Sequence, residues 1–143
     1  MSSAFTTGGG CLCGAVRFAY AGPLGGELGA VTLCHCEQCR RAQGYGAAVA
    51  PASAAGFRVT KGRERIVEYE SSPGKKRAFC GACGSPLYSR LDARPEALRL
   101  RLGALDSVPA GLVIEAHIFA EDLPAWNGPD DAPRYPGREP GWR

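Results

Sequence analysis

Seven cysteines carry most of the chemistry available to this chain of 143 residues. They stand in three clusters: Cys11 and Cys13; Cys34, Cys36 and Cys39; Cys80 and Cys83. An odd number with no export signal argues against a disulfide framework. The CxC and CxxC spacings argue for metal, and sulfur donors favour zinc. A closed structural zinc takes four ligands, and the first and third clusters together supply four. The middle cluster supplies three. Joining it to either pair would give five and strand the other pair. The economical division is one closed site on Cys11, Cys13, Cys80 and Cys83, and one site on Cys34, Cys36 and Cys39 with a vacant position. Three protein ligands with an open fourth position mark a catalytic zinc. The expectation is two zinc ions per chain.

The neighbours of these cysteines set further demands. Alternate residues of a regular strand point the same way but stand apart, so a CxC chelate needs a tight turn. Gly8-Gly9-Gly10 before Cys11 and Gly14 after Cys13 allow one. Phe79-Cys80-Gly81-Ala82-Cys83-Gly84 is a zinc-knuckle pattern. An ion shared by these distant pairs ties the N-terminal hairpin to the middle of the chain. Structural zinc contributes roughly 10–16 kcal/mol of apparent binding energy, against about 5–15 kcal/mol for the stability of a whole domain. Its removal is expected to unfold the protein. In CHCEQCRR, His35 lies between two ligands and is driven away from their metal. It is a candidate to contact substrate or support the ligands, with packing and direct ligation as alternatives. Arg40 and Arg41 follow the cluster and are candidates to clamp a substrate carboxylate, against an ordinary surface role. His117, in LVIEAHIFA, reads as a core histidine.

The elements that must position these residues are short. Strands are expected over 14–20, 31–33, 47–50, 56–60, 65–70, 76–79, 86–91, 97–102 and 112–119, most of them bounded by Gly, Pro or Ser. One or two helical turns are expected from Glu37 to Gln43, ended by Gly44. The alternation Leu98-Arg99-Leu100-Arg101-Leu102 reads as a half-buried strand with both arginines on its wet face. Residues 1–126 read as a single domain. Residues 127–143, within a stretch rich in Pro, read as an irregular arm packed on it, with Trp126 and Trp142 as anchors. The whole reads as all-β with little helix.

Composition narrows the function classes. Apolar residues are 45% and charged residues 22%, close to globular averages. Net charge is +3, too weak to imply nucleic acid, and Arg40-Arg41 and Lys75-Lys76-Arg77 read as solvated faces. No apolar run approaches the ~20 residues of a membrane span. The start, MSSAFTTGGG, has neither a basic region nor an apolar core, so no secretory signal is expected and a cytoplasmic location is.

The order GGCLCGAVRF, CHCEQCRRAQG, SSPGKKRAFCGACGSPLY, then AHIF followed by a Trp resembles the glutathione-dependent formaldehyde-activating (GFA) family, related to the centromere-protein-V domain. The resemblance runs from about Gly9 to Trp126. It implies a zinc fold of the β-tent type, with many short antiparallel strands. It also implies a structural zinc on Cys11, Cys13, Cys80 and Cys83 and a catalytic zinc on Cys34, Cys36 and Cys39. The implied partners are a small-molecule thiol, glutathione or similar, and an aldehyde such as formaldehyde. The implied activity is that of a carbon–sulfur lyase. The chemistry suits the site: three thiolates on Zn²⁺ leave a net −1, a poor activator of water and a good seat for a fourth sulfur. A thiol entering there would lose its proton and act as the nucleophile.

Three other readings compete. A non-catalytic binding module with two structural zincs needs a fourth protein ligand at the three-cysteine site, from His35 or His117. A redox enzyme of the methionine sulfoxide reductase kind needs a nucleophilic cysteine outside its zinc site. A nucleic-acid zinc ribbon needs more positive charge.

Overall fold

The computed structural model describes residues 5–128 and 130–141. It is mostly strand, with a single α-helix among the described residues. The all-β expectation holds. Three strands form one sheet in the order β1 (Phe5–Gly10), β2 (Arg17–Gly22), β5 (Phe57–Lys61). Seven form the other, in the order β10 (Ala116–Ile118), β3 (Thr32–Cys34), β4 (Ala47–Ser53), β9 (Ala97–Arg101), β8 (Pro86–Leu91), β7 (Lys75–Cys80), β6 (Ile66–Ser72). Every pairing is antiparallel except that of β10 with β3. Helix α1 (Glu37–Gln43) ends where Gly44 enters the left-handed region at φ 82°, as its sequence requires.

Strand β1 departs from expectation. Gly8, Gly9 and Gly10 are not merely the loosened lead-in to a turn; they are paired strand residues opposite Ala19, Phe18 and Arg17. Their lack of side chains serves packing. A Cβ on Gly9 would lie 2.3 Å from the Phe18 ring and 2.6 Å from the Ala104 carbonyl oxygen. The small sheet therefore lies flush on the large one, above a core of Val16, Phe18, Cys80, Leu87 and Ala104. Arg17 and Asp106 form an ion pair across the same seam. Strand β10 is the second departure: only residues 116–118 of the expected 112–119 are extended. The rest of that stretch is irregular chain, which leaves Val113 and Ile114 exposed.

Two burial expectations are corrected. Arg101 is not on a wet face; it is 5% exposed, under helix α1 and beside β8. Period two places Arg99 and Arg101 on one face, but that face of β9 is the concave one. His117 is not a core histidine; it is exposed, because β10 is an edge strand. His35, by contrast, is 3% exposed. After Asp122 the described chain has no strand or helix, and most of it is exposed. Trp126 is 61% exposed and touches Tyr45 at a ring separation of 6.0 Å. Trp142 lies outside the described residues. Among the described residues, no helix is long and apolar enough to cross a membrane.

Candidate functional site

The two sulfur groups form as separate clusters. Cys11 and Cys13 lie in the turn that closes the β1–β2 hairpin. The N–H of Gly14 donates to the carbonyl of Cys11 there at 3.3 Å. Cys80 ends β7, and a turn held by the Gly84 N–H to the Cys80 carbonyl, at 2.7 Å, returns Cys83 beside it. The four sulfurs lie within 4.8 Å of one another, and the turn that the CxC pair requires is present. Cys11 and Cys13 sulfurs are 3.6 Å apart, and Cys13 and Cys80 sulfurs 3.9 Å. A tetrahedral zinc with bonds of about 2.3 Å separates its sulfurs by about 3.8 Å, whereas a disulfide needs about 2.05 Å. The spacing fits four ligands of one ion. It joins the two sheets, since one pair belongs to each.

The donors around these sulfurs suit thiolates. Cys11 Sγ accepts from the Val16 N–H at 3.2 Å, and Cys80 Sγ from the Ala82 N–H at 3.4 Å. Cys83 Sγ lies 3.2 Å from the Ser85 hydroxyl, which, with backbone donors, draws its thiol down to about 5. Backbone contact at Ala15 favours the Cys13 thiolate, but its sulfur neighbours push it up to about 11. Thiols this close cannot all ionise without a cation among them.

The second cluster is built by β3, the turn after it and helix α1. Cys34 ends β3; Cys36 is the N-cap of α1; Cys39 lies in its first turn. The Cys36 sulfur takes the capping role, accepting from the Cys39 N–H at 3.3 Å. These three sulfurs also lie within 4.8 Å of one another. Burial, reinforced by Cys39 and Cys36, pushes the Cys34 thiol up to about 12. Burial acts the same way on Cys36, but the amide, the neighbouring sulfurs and Arg77 carry its thiol down. Three soft donors, one of them costly to ionise alone, fit zinc as the first four do.

His35 stays out of the sulfur cluster. Its Nε2 shares a hydrogen bond of 2.9 Å with His117 Nδ1, and the rings stack at 5.1 Å. Its backbone N–H donates to the Ile118 carbonyl at 3.0 Å, so β10 locks the residue between Cys34 and Cys36. Arg40 and Arg41 lie along α1, outside the residues that line the cavity described next; Arg41 pairs with Glu37.

The three-sulfur cluster faces a cavity of about 610 Å³, and the cations around it were not singled out by sequence. They are Lys75 and Arg77 on β7, Arg99 and Arg101 on β9, with Ser89 of β8 between them, and Arg90 of β8, which is paired with Glu68 and Asp92; the carboxylates in the lining are Glu37 and Asp122. Strand register makes this a row, because Arg77 is opposite Ser89 and Ser89 opposite Arg99. Arg77 is 8% exposed, so the run Lys75-Lys76-Arg77 is not a solvated face. Only Lys76 points away from the row, to Glu70 and Asp92. Both terminal nitrogens of Arg77 lie 3.7 Å from Cys39 Sγ. Its Nε donates to Ser71 and one terminal nitrogen to Gln38. Arg101 donates to Gln43, Ser89 and the Arg99 carbonyl. Burial draws Arg101 down to about 10; the Cys39 and Cys34 sulfurs oppose this, and Arg77 adds to it. Lys75 is drawn down by burial and by Arg77. Among the described residues, neither the Lys75 nor the Arg99 side chain has an ion-pair partner. The signal available in sequence was the period-two spacing of Lys75 with Arg77 and of Arg99 with Arg101.

Known proteins resemble this chain in both fold and sequence. A crystal structure of a Rhodobacter sphaeroides protein superposes with a TM-score of 0.61 at 27% identity, over 77% of this chain and 98% of that one. A Halomonas elongata protein named "Putative glutathione-dependent formaldehyde-activating enzyme" is 32% identical over 125 residues, 82% of this chain and 77% of its own length. The family model described as glutathione-dependent formaldehyde-activating enzyme matches residues 6–122, which span both sulfur clusters and the row of cations. The chain belongs to the glutathione-dependent formaldehyde-activating enzyme family.

Proposed function

We propose that this protein is a zinc-dependent carbon–sulfur lyase that joins an anionic thiol of the glutathione type to formaldehyde or a similar small aldehyde. One observation carries the reading: three clustered thiols face a cavity whose wall holds Lys75, Arg77, Arg99 and Arg101, none of them paired with a carboxylate among the described residues. Cys34, Cys36 and Cys39 would hold one zinc and Cys11, Cys13, Cys80 and Cys83 a second. When bound by the three cysteines, zinc supplies a position for one further sulfur and favours the thiolate form of that sulfur.

The rest belongs to the chain. Lys75 and Arg99 attract the carboxylates of the incoming thiol and orient it by charge-assisted hydrogen bonds. Val49 and Ile118 form an apolar wall beside the sulfurs and limit water there. In the reaction the thiol sulfur bonds to the aldehyde carbon. The carbonyl π pair moves to oxygen, and that oxygen takes up the proton the thiol has lost. Atoms and charge balance with no oxidant, giving an S-(hydroxymethyl) thioether, a hemithioacetal; cleavage is the reverse. The cytoplasm, where such thiols are kept reduced, is the proposed place of action.

Zinc quantification alongside a thiol-plus-aldehyde assay tests the proposal. Two zinc per chain and formation of the carbon–sulfur adduct are expected. A three-cysteine site that stays empty under excess zinc overturns it, as does a loaded site that forms no adduct with any thiol–aldehyde pair. A fourth protein ligand at that site would favour a structural binding module. The described residues weigh against this, because neither His35 nor His117 joins the group of clustered ligand atoms, which consists of Cys34, Cys36 and Cys39.

A further inference from the structure

Arg77 and Arg101 are buried guanidinium groups whose hydrogen-bond partners are hydroxyls, amides, a carbonyl and a sulfur, with no carboxylate among them. Arginine stays charged in proteins, and a buried charge is tolerated only where something opposite compensates it. Neither Glu37 nor Asp122, the carboxylates of the cavity lining, bonds to either guanidinium, which leaves the thiolates of the three-cysteine cluster as the compensating groups. Arg77 is built for that task. Its fork straddles Cys39 Sγ with both terminal nitrogens at 3.7 Å, and contacts to Ser71 and Gln38 hold it in place. These contacts engage four of its five N–H donors, so little of it is left for a substrate. Lys75 and Arg99 face the same cavity with no such commitments.

We infer that Arg77 is a positioning residue that acts through Cys39: it neutralises the excess negative charge of the three-thiolate zinc site and so lets the site accept a fourth, anionic sulfur. This rests on the proposed function, because it requires zinc on Cys34, Cys36 and Cys39. The charge balance is simple. Three thiolates and Zn²⁺ total −1, and a fourth thiolate would bring −2 into a partly buried site. One fixed cation beside Cys39, with Arg101 behind it, removes that obstacle at close range and low dielectric. The four-cysteine site carries the same −2 with its ion, but Cys13 is exposed to water and the Val16 and Ala82 N–H groups donate to its sulfurs.

The role differs from that of a substrate clamp in a measurable way. A clamp recognises carboxylates and would discriminate between thiols. A counter-charge acts on the metal site and treats all thiols alike. The test compares wild type, Arg77→Met and Arg77→Lys, each fully zinc-loaded. One readout is the rate at which the more labile zinc equivalent passes to a chelating dye. The other is the apparent affinity for glutathione and for 2-mercaptoethanol, which carries no carboxylate. Arg77→Met is expected to release that zinc at least about tenfold faster and to lose affinity for both thiols by similar factors. Arg77→Lys should stay within about threefold of wild type on both readouts, because it keeps the charge. Wild-type behaviour of Arg77→Met overturns the inference, and so does a loss confined to glutathione. If Arg77→Met does not fold, Arg77→Lys decides: values within threefold support the counter-charge, and a tenfold loss overturns it. A wild-type protein that holds no labile zinc would refute the proposed function itself. A zinc-loaded wild type with an unaffected Arg77→Met refutes only the role of Arg77.

Discussion

At the scale of single residues, neighbouring cations on one sheet face divide their work by what they already touch. Arg77 and Arg101 are committed to internal partners, whereas Lys75 and Arg99 are not. Hydrogen bonds to charged groups are worth about 1.5–3 kcal/mol, which corresponds to roughly 10–150-fold in binding. Arg99→Met is therefore expected to raise the KM for glutathione at least about tenfold while leaving kcat and the KM for 2-mercaptoethanol near wild type. Steady-state kinetics with the two thiols checks this, and equal losses for both would remove Arg99 from substrate binding. Cys36→Ser addresses the cluster itself. It should lower zinc content from two to one per chain and abolish activity, with the far-ultraviolet circular dichroism unchanged.

Individual elements carry their own consequences. Strand β10 is only three residues long, yet it holds β3 and His35 in register beside the sulfurs. At its end Phe119 sits in the left-handed region, with φ 54° and ψ 39°, the only non-glycine to do so among the described residues. That conformation costs a side-chain-bearing residue about 1–2 kcal/mol, more than the roughly 0.5–1 kcal/mol of extra chain entropy that a glycine loses on folding. Phe119 is 55% exposed, so little packing is forfeited. Phe119→Gly is expected to melt at the wild-type temperature or up to about 3 °C above it, as measured by calorimetry. A clear fall would mean that the ring packs more than its exposure suggests.

Across β6, β7 and β8, an ionic lattice replaces apolar contact. Arg90 holds Glu68 through two hydrogen bonds of 2.7 and 2.9 Å, and the Tyr88 hydroxyl adds a third at 2.9 Å. Arg90 first, then Tyr88, keeps the Glu68 carboxyl below its ordinary range despite partial burial. A depressed carboxyl stabilises the fold fully above its unfolded value and loses that contribution as pH falls through the folded one. Glu68→Gln should therefore cost about 1 kcal/mol at neutral pH. The stability gap to wild type should close as the pH falls below about 4. Denaturant unfolding at both pH values measures it, and a gap that persists in acid would assign the loss to packing.

For the molecule as a whole, the decisive feature is that each sheet contributes one pair to the four-cysteine cluster. The small sheet presses on the large one through glycines and a modest core, so the shared cluster is the main tie at that end. Chelation should then proceed in two stages. The three-cysteine site loses zinc first, with activity, while the fold persists. Loss of the second zinc unfolds the chain, since its roughly 10–16 kcal/mol is comparable with total domain stability. Cys83→Ser should behave like the second stage and fail to fold; a soluble, cooperatively melting Cys83→Ser protein would contradict the role of the cluster.

Sequence by itself determined the two sulfur groups, the turn at Cys11–Cys13, helix α1 with its Gly44 stop and the all-β class. Ligand chemistry depends on residue type and local spacing, and turns and caps depend on a few adjacent residues, so both are written locally. Tertiary structure alone decided that Gly9 belongs to a strand pressed on Phe18, that Arg101 faces inward, and that His117 lies outside while His35 lies buried. It also decided that Lys75, Arg77, Arg99 and Arg101 share one wall. Period two states which residues of a strand share a face, but which face is covered depends on elements far away in the chain. Arg77 and Arg99 are 22 residues apart in the chain, and only strand register, through Ser89, brings them together.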